Sequence, residues 1–395
     1  MRLIYVHEAT LPEAKARTIQ AINTVCQLAK LGAEVRLLVD SVGAEERDKI
    51  GEFYGLELPE NMEIIAEKDM DAAVVARKAI AKIELKDAFV YCRNLRIAQS
   101  LLPTCRGSGV PLIYEAHKVA FMVVSDEARL SELPPGRARR RAMRTFKSES
   151  EVFDKARGIV CTTDATAALA RTMFGREQNM IVARNGGPEP LKASEVEGAE
   201  GIGEVPKLIV YVGSLGGWKG TDTLFEALKI LDGFKLEIAG SISGGTAIRR
   251  SELMDQYSLL EGSLALKGHL PPGEVMDFLS SKRFAAAVIS IPAGHSIEPY
   301  LFTCPLKLFQ YLAAGIPVVA SDVPALREIL RHRENAVLVE PENPEALAEG
   351  IRMVYSNREL RKNIIRSGLE TAAHFTYRKR AERILSLLET IAGSR

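Results

Sequence analysis

The chain has 395 residues, of which 47% are apolar and 26% charged, the balance of a folded globular protein rather than a disordered one. Lys plus Arg (52) and Asp plus Glu (51) nearly cancel, so whole-chain charge gives no argument for nucleic acid as a partner. At roughly 100 to 200 residues per domain this length predicts about two domains.

The N-terminal MRLIYVHE is too short an apolar stretch for a signal segment, and no run approaches the ~18 residues needed to cross a bilayer. The five cysteines, Cys26, Cys92, Cys105, Cys161 and Cys304, are scattered and form no close pair of the zinc or thiol-redox kind. A cytoplasmic protein is expected, with a position peripheral to a membrane left open.

In chain order, RLIYVH is followed by a helical pattern from about Pro12 to Leu31 and then by AEVRLLVD; DAFVYC, VPLIYEAH and GIVCTT come later. Short apolar runs alternating with helices predict a parallel sheet covered on both faces. In the first helix Ala16, Ile19, Ile22, Val25, Leu28 and Ala29 form one stripe, and Gly32 stops it. Asp69-Met70-Asp71 has a metal-pair spacing, but it precedes the helical run AAVVARKAIAKI and reads as a helix start.

The run GRARRRAMRTFK, residues 136–147, carries Arg137, Arg139, Arg140, Arg141, Arg144 and Lys147 without an acidic residue. Contact with an anionic membrane surface, a phosphorylated or nucleic-acid partner, and a solvated face are the three readings. Residues 185–206, rich in Gly, Pro, Glu and Ala, read as a linker.

Beyond the linker KLIVYVG, FKLEIAG, SLALKG, FAAAVISIP and IPVVAS repeat the strand-helix alternation. The expected division is an N-terminal domain over 1–188, a C-terminal domain over 204–370, and a final helix over 371–395 packing back toward the first domain. In that helix Ile384, Leu387 and Leu388 are apolar, with Arg378, Lys379 and Arg380 expected in solvent.

Two stretches suggest chemistry. KLIVYVG runs through Ser214, two glycines, Lys219 and Gly220 into a helix with Thr221 as the expected N-cap. A Gly-rich turn at a helix N-terminus offers N–H groups to an anion, and Lys219 adds charge. It is neither a Walker A loop nor a dinucleotide fingerprint, and a plain strand-to-helix turn with a solvated lysine is the alternative.

The second stretch is TCPLKLFQYLAAGIPVVAS, residues 303–321. Pro305 suits a first helical turn, the helix is expected to run to Ala314, and Gly315 ends it. Lys307 and Gln310 share a face, fit for a second phosphate and a ribose hydroxyl, or for the edge of a simple core helix.

This second stretch resembles the donor-binding motif of the family 4 retaining glycosyltransferases, a group 1 glycosyl transferase family. Tyr114-Glu115-Ala116-His117, GIVCTT, Asn185-Gly186-Gly187, VGSLGGWKG and Lys267-Gly268-His269-Leu270 occur in that family's order, over roughly residues 1–385. The resemblance implies an α/β GT-B fold, two Rossmann-like doubly wound domains facing a central cleft. It implies metal-independent, retaining transfer from a UDP- or GDP-type nucleoside diphosphate sugar to a hydroxyl acceptor, lipid-linked or polysaccharide. No cofactor beyond the donor co-substrate and no nucleic acid are expected, and the sequence sets no oligomeric state.

Carried over by resemblance, Lys219 binds the diphosphate beside Gly213 and Ser214. Pro305, Leu306, Lys307 and Leu308 hold phosphates through a helix start, and Gln310 binds the ribose. Gly268, His269 and Leu270 contact the base, with Ser241 nearby. His117 lies near the donor sugar, and acceptor loops fall near His7, Glu8, Arg93 and Asn94. The chain departs from the family at Ser214, where Arg is usual, and at Phe302 and Gln310, both usually Glu. A nucleotide-sugar epimerase or hydrolase, and a catalytically impaired binding subunit, are the competing readings.

Overall fold

A computed structural model describes the chain except residues 44–46, 67–73, 75, 78–79, 81–87, 131–134, 195, 197–204, 216–219, 241–254, 256–261, 295 and 395. It divides into two units, Met1–Gly186 with Tyr377–Arg395, and Gly187–Thr376.

Among the described residues the first unit holds a sheet of seven strands: β1 (Arg2–Leu11), β2 (Glu34–Val42), β3 (Met62–Ala66), β4 (Ala88–Cys92), β5 (Leu112–Ala116), β6 (Gly158–Cys161) and β7 (Met180–Val182). Their order is β3-β2-β1-β4-β5-β6-β7, every pairing parallel. The strands β4 and β5 are buried along their whole length, as strands covered on both faces must be. Strand order reverses between β1 and β4, where doubly wound sheets bind ligands beyond the carboxyl ends of their strands.

Helix Ala16–Lys30 starts later than the expected Pro12 and buries Ile22, Val25 and Leu28. Helix Tyr377–Gly393 joins the same core through Ile384, Leu387, Leu388 and Ile391. Arg380, expected in solvent, is only 3% exposed. It precedes Ile384 by one helical turn and therefore shares the apolar face.

The second unit holds β8 (Leu208–Val212), β9 (Lys235–Ala239), β10 (Leu264–Gly268), β11 (Ala286–Ile289), β12 (Val318–Ser321) and β13 (Val337–Val339), in the order β10-β9-β8-β11-β12-β13. These are again all parallel, with the reversal between β8 and β11. Helix Leu306–Ala313 buries Leu308, Phe309, Tyr311 and Leu312. Tyr311 is anchored by its hydroxyl, which accepts the Val212 N–H at 2.7 Å.

The N-cap of helix Thr221–Ile230 is Gly220 at φ 62°, not Thr221. A Cβ on Gly220 would lie 2.4 Å from Ser290 Oγ, so close approach between loops fixes the helix start and Thr221 is drawn into the first turn. Thr221 is 1% exposed.

Candidate functional site

In the second unit the carboxyl ends of β8, β9 and β10 converge. The N–H of Gly213, just after β8, donates to Ala239 O at 2.9 Å, and that of Gly240, just after β9, donates to Gly268 O at 2.8 Å. A Cβ on Gly240 would stand 1.9 Å from the Gly213 carbonyl oxygen, so the two main chains touch where only glycine fits. Lys307, in the first turn of helix Leu306–Ala313, places Nζ 3.7 Å from the Tyr211 ring centroid, an interaction of ammonium with aromatic face. The same Nζ would be 3.3 Å from a Cβ on Gly213.

Three residues singled out in the sequence, Gly213, Gly268 and Lys307, are thus gathered, with Gly240 and Tyr211 added by the structure. Gly240 had a signal in the Ile-Ala-Gly strand end; Tyr211 had none.

Pro305 caps helix Leu306–Ala313 without a side-chain bond, so the first turn of that helix turns its main-chain N–H groups toward its own N-terminus. The Leu308 N–H turns back to Pro305 O at 3.1 Å. Gln310 is half-buried. Ser214 follows Gly213, and its carbonyl lies 3.5 Å from the Tyr211 hydroxyl. His269 and Leu270 follow β10, Leu270 packing on the core that contains Leu308 and Phe309.

Phe302 is 4% exposed, so the position at which the resemblance puts a carboxylate is filled by core. Glu298 sits in the first turn of helix Ile297–Phe302, where Ser296 Oγ accepts its N–H at 3.2 Å. Lys219, Ser241, Asp69 and Asp71 lie outside the described residues. Among the described residues no group of three or more His, Cys, Asp or Glu side chains could hold a metal ion.

In the first unit the site residues cluster at the carboxyl ends of β1, β4 and β5. His117 Nε2 lies 2.5 Å from Glu115 Oε1. Glu115 is fully buried, and its other oxygen accepts the Tyr91 hydroxyl and Arg380 Nη2. Arg380 also donates to the carbonyls of Ala183 and Arg184 and, at 3.1 Å, to Thr24 Oγ1.

Burial alone would raise the Glu115 carboxyl, but Arg380, His117 and Arg93 outweigh it and hold it well below the usual carboxylate range. His117 is pushed down to about 4, by burial first and then by Arg93, against the pull of Glu115. At neutral pH this histidine is therefore uncharged. Arg93 Nη2 approaches His117 Nδ1 at 3.4 Å, and Nη1 donates to Arg17 O at 2.6 Å.

His7 is bonded to Thr18 Oγ1 at 3.0 Å. Asn94 caps helix Leu95–Ser108 by accepting from the Arg96 and Ile97 N–H groups, and its amide donates to Glu8. Sequence order brought Glu115 and His117 together; it gave no sign of Tyr91, and of Arg380 only its one-turn spacing from Ile384.

Chemically, the second unit offers main-chain amides and an ammonium, suited to an anion, while the first offers a neutral imidazole fixed by a charged pair. Two doubly wound parallel sheets in one chain constitute the GT-B fold. Anabaena HepE, solved in complex with UDP and with UDP-glucose, superposes with a TM-score of 0.71 at 15% identity over 99% of this chain and 100% of its own. The sucrose-phosphate synthase of Thermosynechococcus elongatus superposes at 0.73 with 16% identity over 100% of both chains.

Residues 194–371 match the family "Glycosyl transferases group 1". The D-inositol 3-phosphate glycosyltransferase of a Nocardioides species is 24% identical over 296 residues, 71% of this chain and 62% of the relative. The match thus spans less than two thirds of that curated relative's length.

Proposed function

We propose that this protein transfers a sugar from a nucleoside diphosphate sugar, with retention and without a metal, to a hydroxyl acceptor. The observation that carries the reading is the convergence of Gly213, Gly240, Gly268 and Lys307 at one end of a sheet in the group 1 unit. The UDP and UDP-glucose held by HepE support a uridine diphosphate donor ahead of a guanosine one. The Nocardioides relative's name supports a phosphorylated polyol as the first acceptor to try, ahead of lipid-linked and polysaccharide acceptors.

As the glycosidic bond breaks, charge grows on the leaving diphosphate. Lys307, the first-turn N–H groups of its helix and, by resemblance, Lys219 stabilise that charge. Gln310 bonds the ribose. By resemblance His117 lies near the donor sugar; neutral at working pH, it would orient a sugar hydroxyl through Nδ1, its one acceptor nitrogen, without supplying a proton.

The test is release of UDP from UDP-glucose with and without acceptors, alongside thermal shifts with UDP and GDP, each with and without Mg²⁺. Acceptor-dependent release that needs no metal is expected, and Lys307→Met and Lys219→Ala should each lower kcat by about a hundredfold. Failure of every nucleotide to bind would overturn the reading. The buried Phe302 favours one alternative, a subunit that binds donor without transferring it; nucleotide binding without release would establish it. Sugar release with no acceptor would show a hydrolase.

A further inference from the structure

Helix Pro135–Lys155 has two sharply different sides. One side is core: Ala138, Ala142, Glu149, Val152 and Phe153 are buried. Phe146 meets the rings of Phe121 at 5.1 Å and Phe174 at 5.6 Å. Glu149 pins this helix to its neighbour, its two oxygens accepting the Ala120 N–H at 2.7 Å and the Phe121 N–H at 2.9 Å. The neighbour, Ala120–Leu130, begins three residues after His117.

The other side is cationic. Arg137, Arg139, Arg140, Arg141, Arg144 and Lys147 are all exposed, in a protein whose total charge is only +1. Arg141 pairs with Glu127 at 3.2 Å. Amid these cations Met143 is 54% exposed, the most exposed large apolar side chain among the described residues.

We propose that this face docks the protein on an anionic lipid bilayer, the cations meeting the headgroups and Met143 entering the interface. A solvated face would not need an apolar side chain at its centre. A face for single-stranded nucleic acid would expose aromatic side chains for stacking, whereas Phe146, the one aromatic among residues 136–147, turns inward; duplex nucleic acid is left to the test. Because the helix is held by Glu149 and Phe146, the cations are presented on a fixed frame, anchored through Glu149 to the helix that begins three residues after His117. Surface-bound acceptors would then be met on that side.

The test needs no donor sugar and is independent of the proposed transfer. The protein is sedimented with phosphatidylcholine vesicles alone and with phosphatidylglycerol added. Binding only to the anionic vesicles is expected. Each cation near a surface contributes roughly fivefold, so R139A/R140A/R144A should weaken binding about a hundredfold. Met143→Ser should weaken it further at high salt, where charge is screened but apolar insertion is not. Unchanged circular dichroism and melting of the triple variant exclude unfolding. Equal pelleting with both vesicles, equal failure with both, or a triple variant that pellets like the parent overturns the proposal. So does binding to duplex RNA or DNA with vesicles ignored.

A second inference rests on the proposed role of His117 and comes from a separate set of contacts. The geometry assigns Glu115 and Arg380 as positioning residues that fix His117 in the Nε2–H tautomer, with Nδ1 left as the acceptor beside Arg93. Glu115 is ionised by its contact with Arg380, so the proton in the 2.5 Å contact with His117 must sit on the imidazole. Nitrogen NMR of the imidazole at neutral pH should show a single Nε2–H form.

Glu115→Gln should lose that single form and lower kcat more than it changes KM. Because this change strands the Arg380 charge, E115Q/R380M gives a second variant with no buried charge left. An Nδ1–H form in the parent protein, or one tautomer kept in both variants, overturns the assignment whether or not sugar is transferred.

Discussion

The two units solve the same problem by opposite means. The first holds its chemistry with charge: His117 is fixed by Glu115, and Glu115 by Arg380 and Tyr91. The second holds its chemistry with shape: Gly213 and Gly240 approach so closely that no side chain fits between them, and Lys307 closes on Gly213 from the helix. A site held by charge should tolerate a change of shape better than a change of charge, and a site held by shape should do the reverse.

The largest effect is expected for Gly240→Ala. Its Cβ would meet backbone, the Gly213 carbonyl at 1.9 Å and its carbon at 2.6 Å, which cannot yield as a flexible side chain could. A loss of about 5 kcal/mol is expected, with nucleotide thermal shifts abolished. Near-parental urea unfolding would break the comparison.

Arg380→Ala comes next. It leaves the Glu115 charge buried, at a cost of about 3 to 5 kcal/mol, and E115Q/R380M should regain most of it despite the altered shape. A double variant as unstable as the single one would show that packing, not charge, holds the first site.

Tyr311→Phe, which removes the partner of the half-buried Val212 N–H, should cost about 1 kcal/mol in urea unfolding with little change in fold.

The smallest and most discriminating effect is on pH dependence. His7 is held down to about 3 by burial and then by Arg93 and Arg17, and His117 to about 4. The folded chain keeps both neutral, while the unfolded chain takes up protons below about 6.5. Their contribution to stability is therefore present above that pH and lost as it falls toward 4.

Glu149 has the opposite sign. Burial pushes it up to about 7 against the helix N–H groups and Lys118, so its contribution fades as pH rises from about 4.5 to 7. Urea midpoints across this range should fall less on acidification in His7→Gln than in the parent, and fall less on alkalinisation in Glu149→Gln. Parallel profiles would refute both.

Much of the fold could be read from the amino acids. Strands buried on both faces read as unbroken apolar runs, and the helices between them kept their 3.6-residue stripes, so the parallel two-sheet plan was visible. Lys307 was visible because a helix start is a local feature, while Gly213 and Gly268 entered through the resemblance, whose motifs are local runs.

Arg380 was missed because it sits in a row of three cations, Arg378, Lys379 and Arg380, that look alike in composition; only its one-turn spacing from Ile384 marked it. Its partner Glu115 is 265 positions away, beyond any local pattern. The start of helix Thr221–Ile230 differs by one residue from the expected one because threonine and glycine are about equal as caps, and contact with Ser290 decides for Gly220. At Phe302 the sequence showed a departure from the family, and the structure supplies its consequence, a core side chain in place of a carboxylate.

The last helix, Tyr377–Gly393, belongs to the unit in which the chain begins. A ribosome emits the first sheet early, yet the guanidinium that neutralises Glu115 and the aliphatic row that seals the layer against Ile22 and Val25 emerge only after the whole of the second unit. The opening half of the polypeptide must wait, incompletely covered, while the inserted half is made. Demand for a chaperone during synthesis should therefore be heaviest on the amino-terminal side.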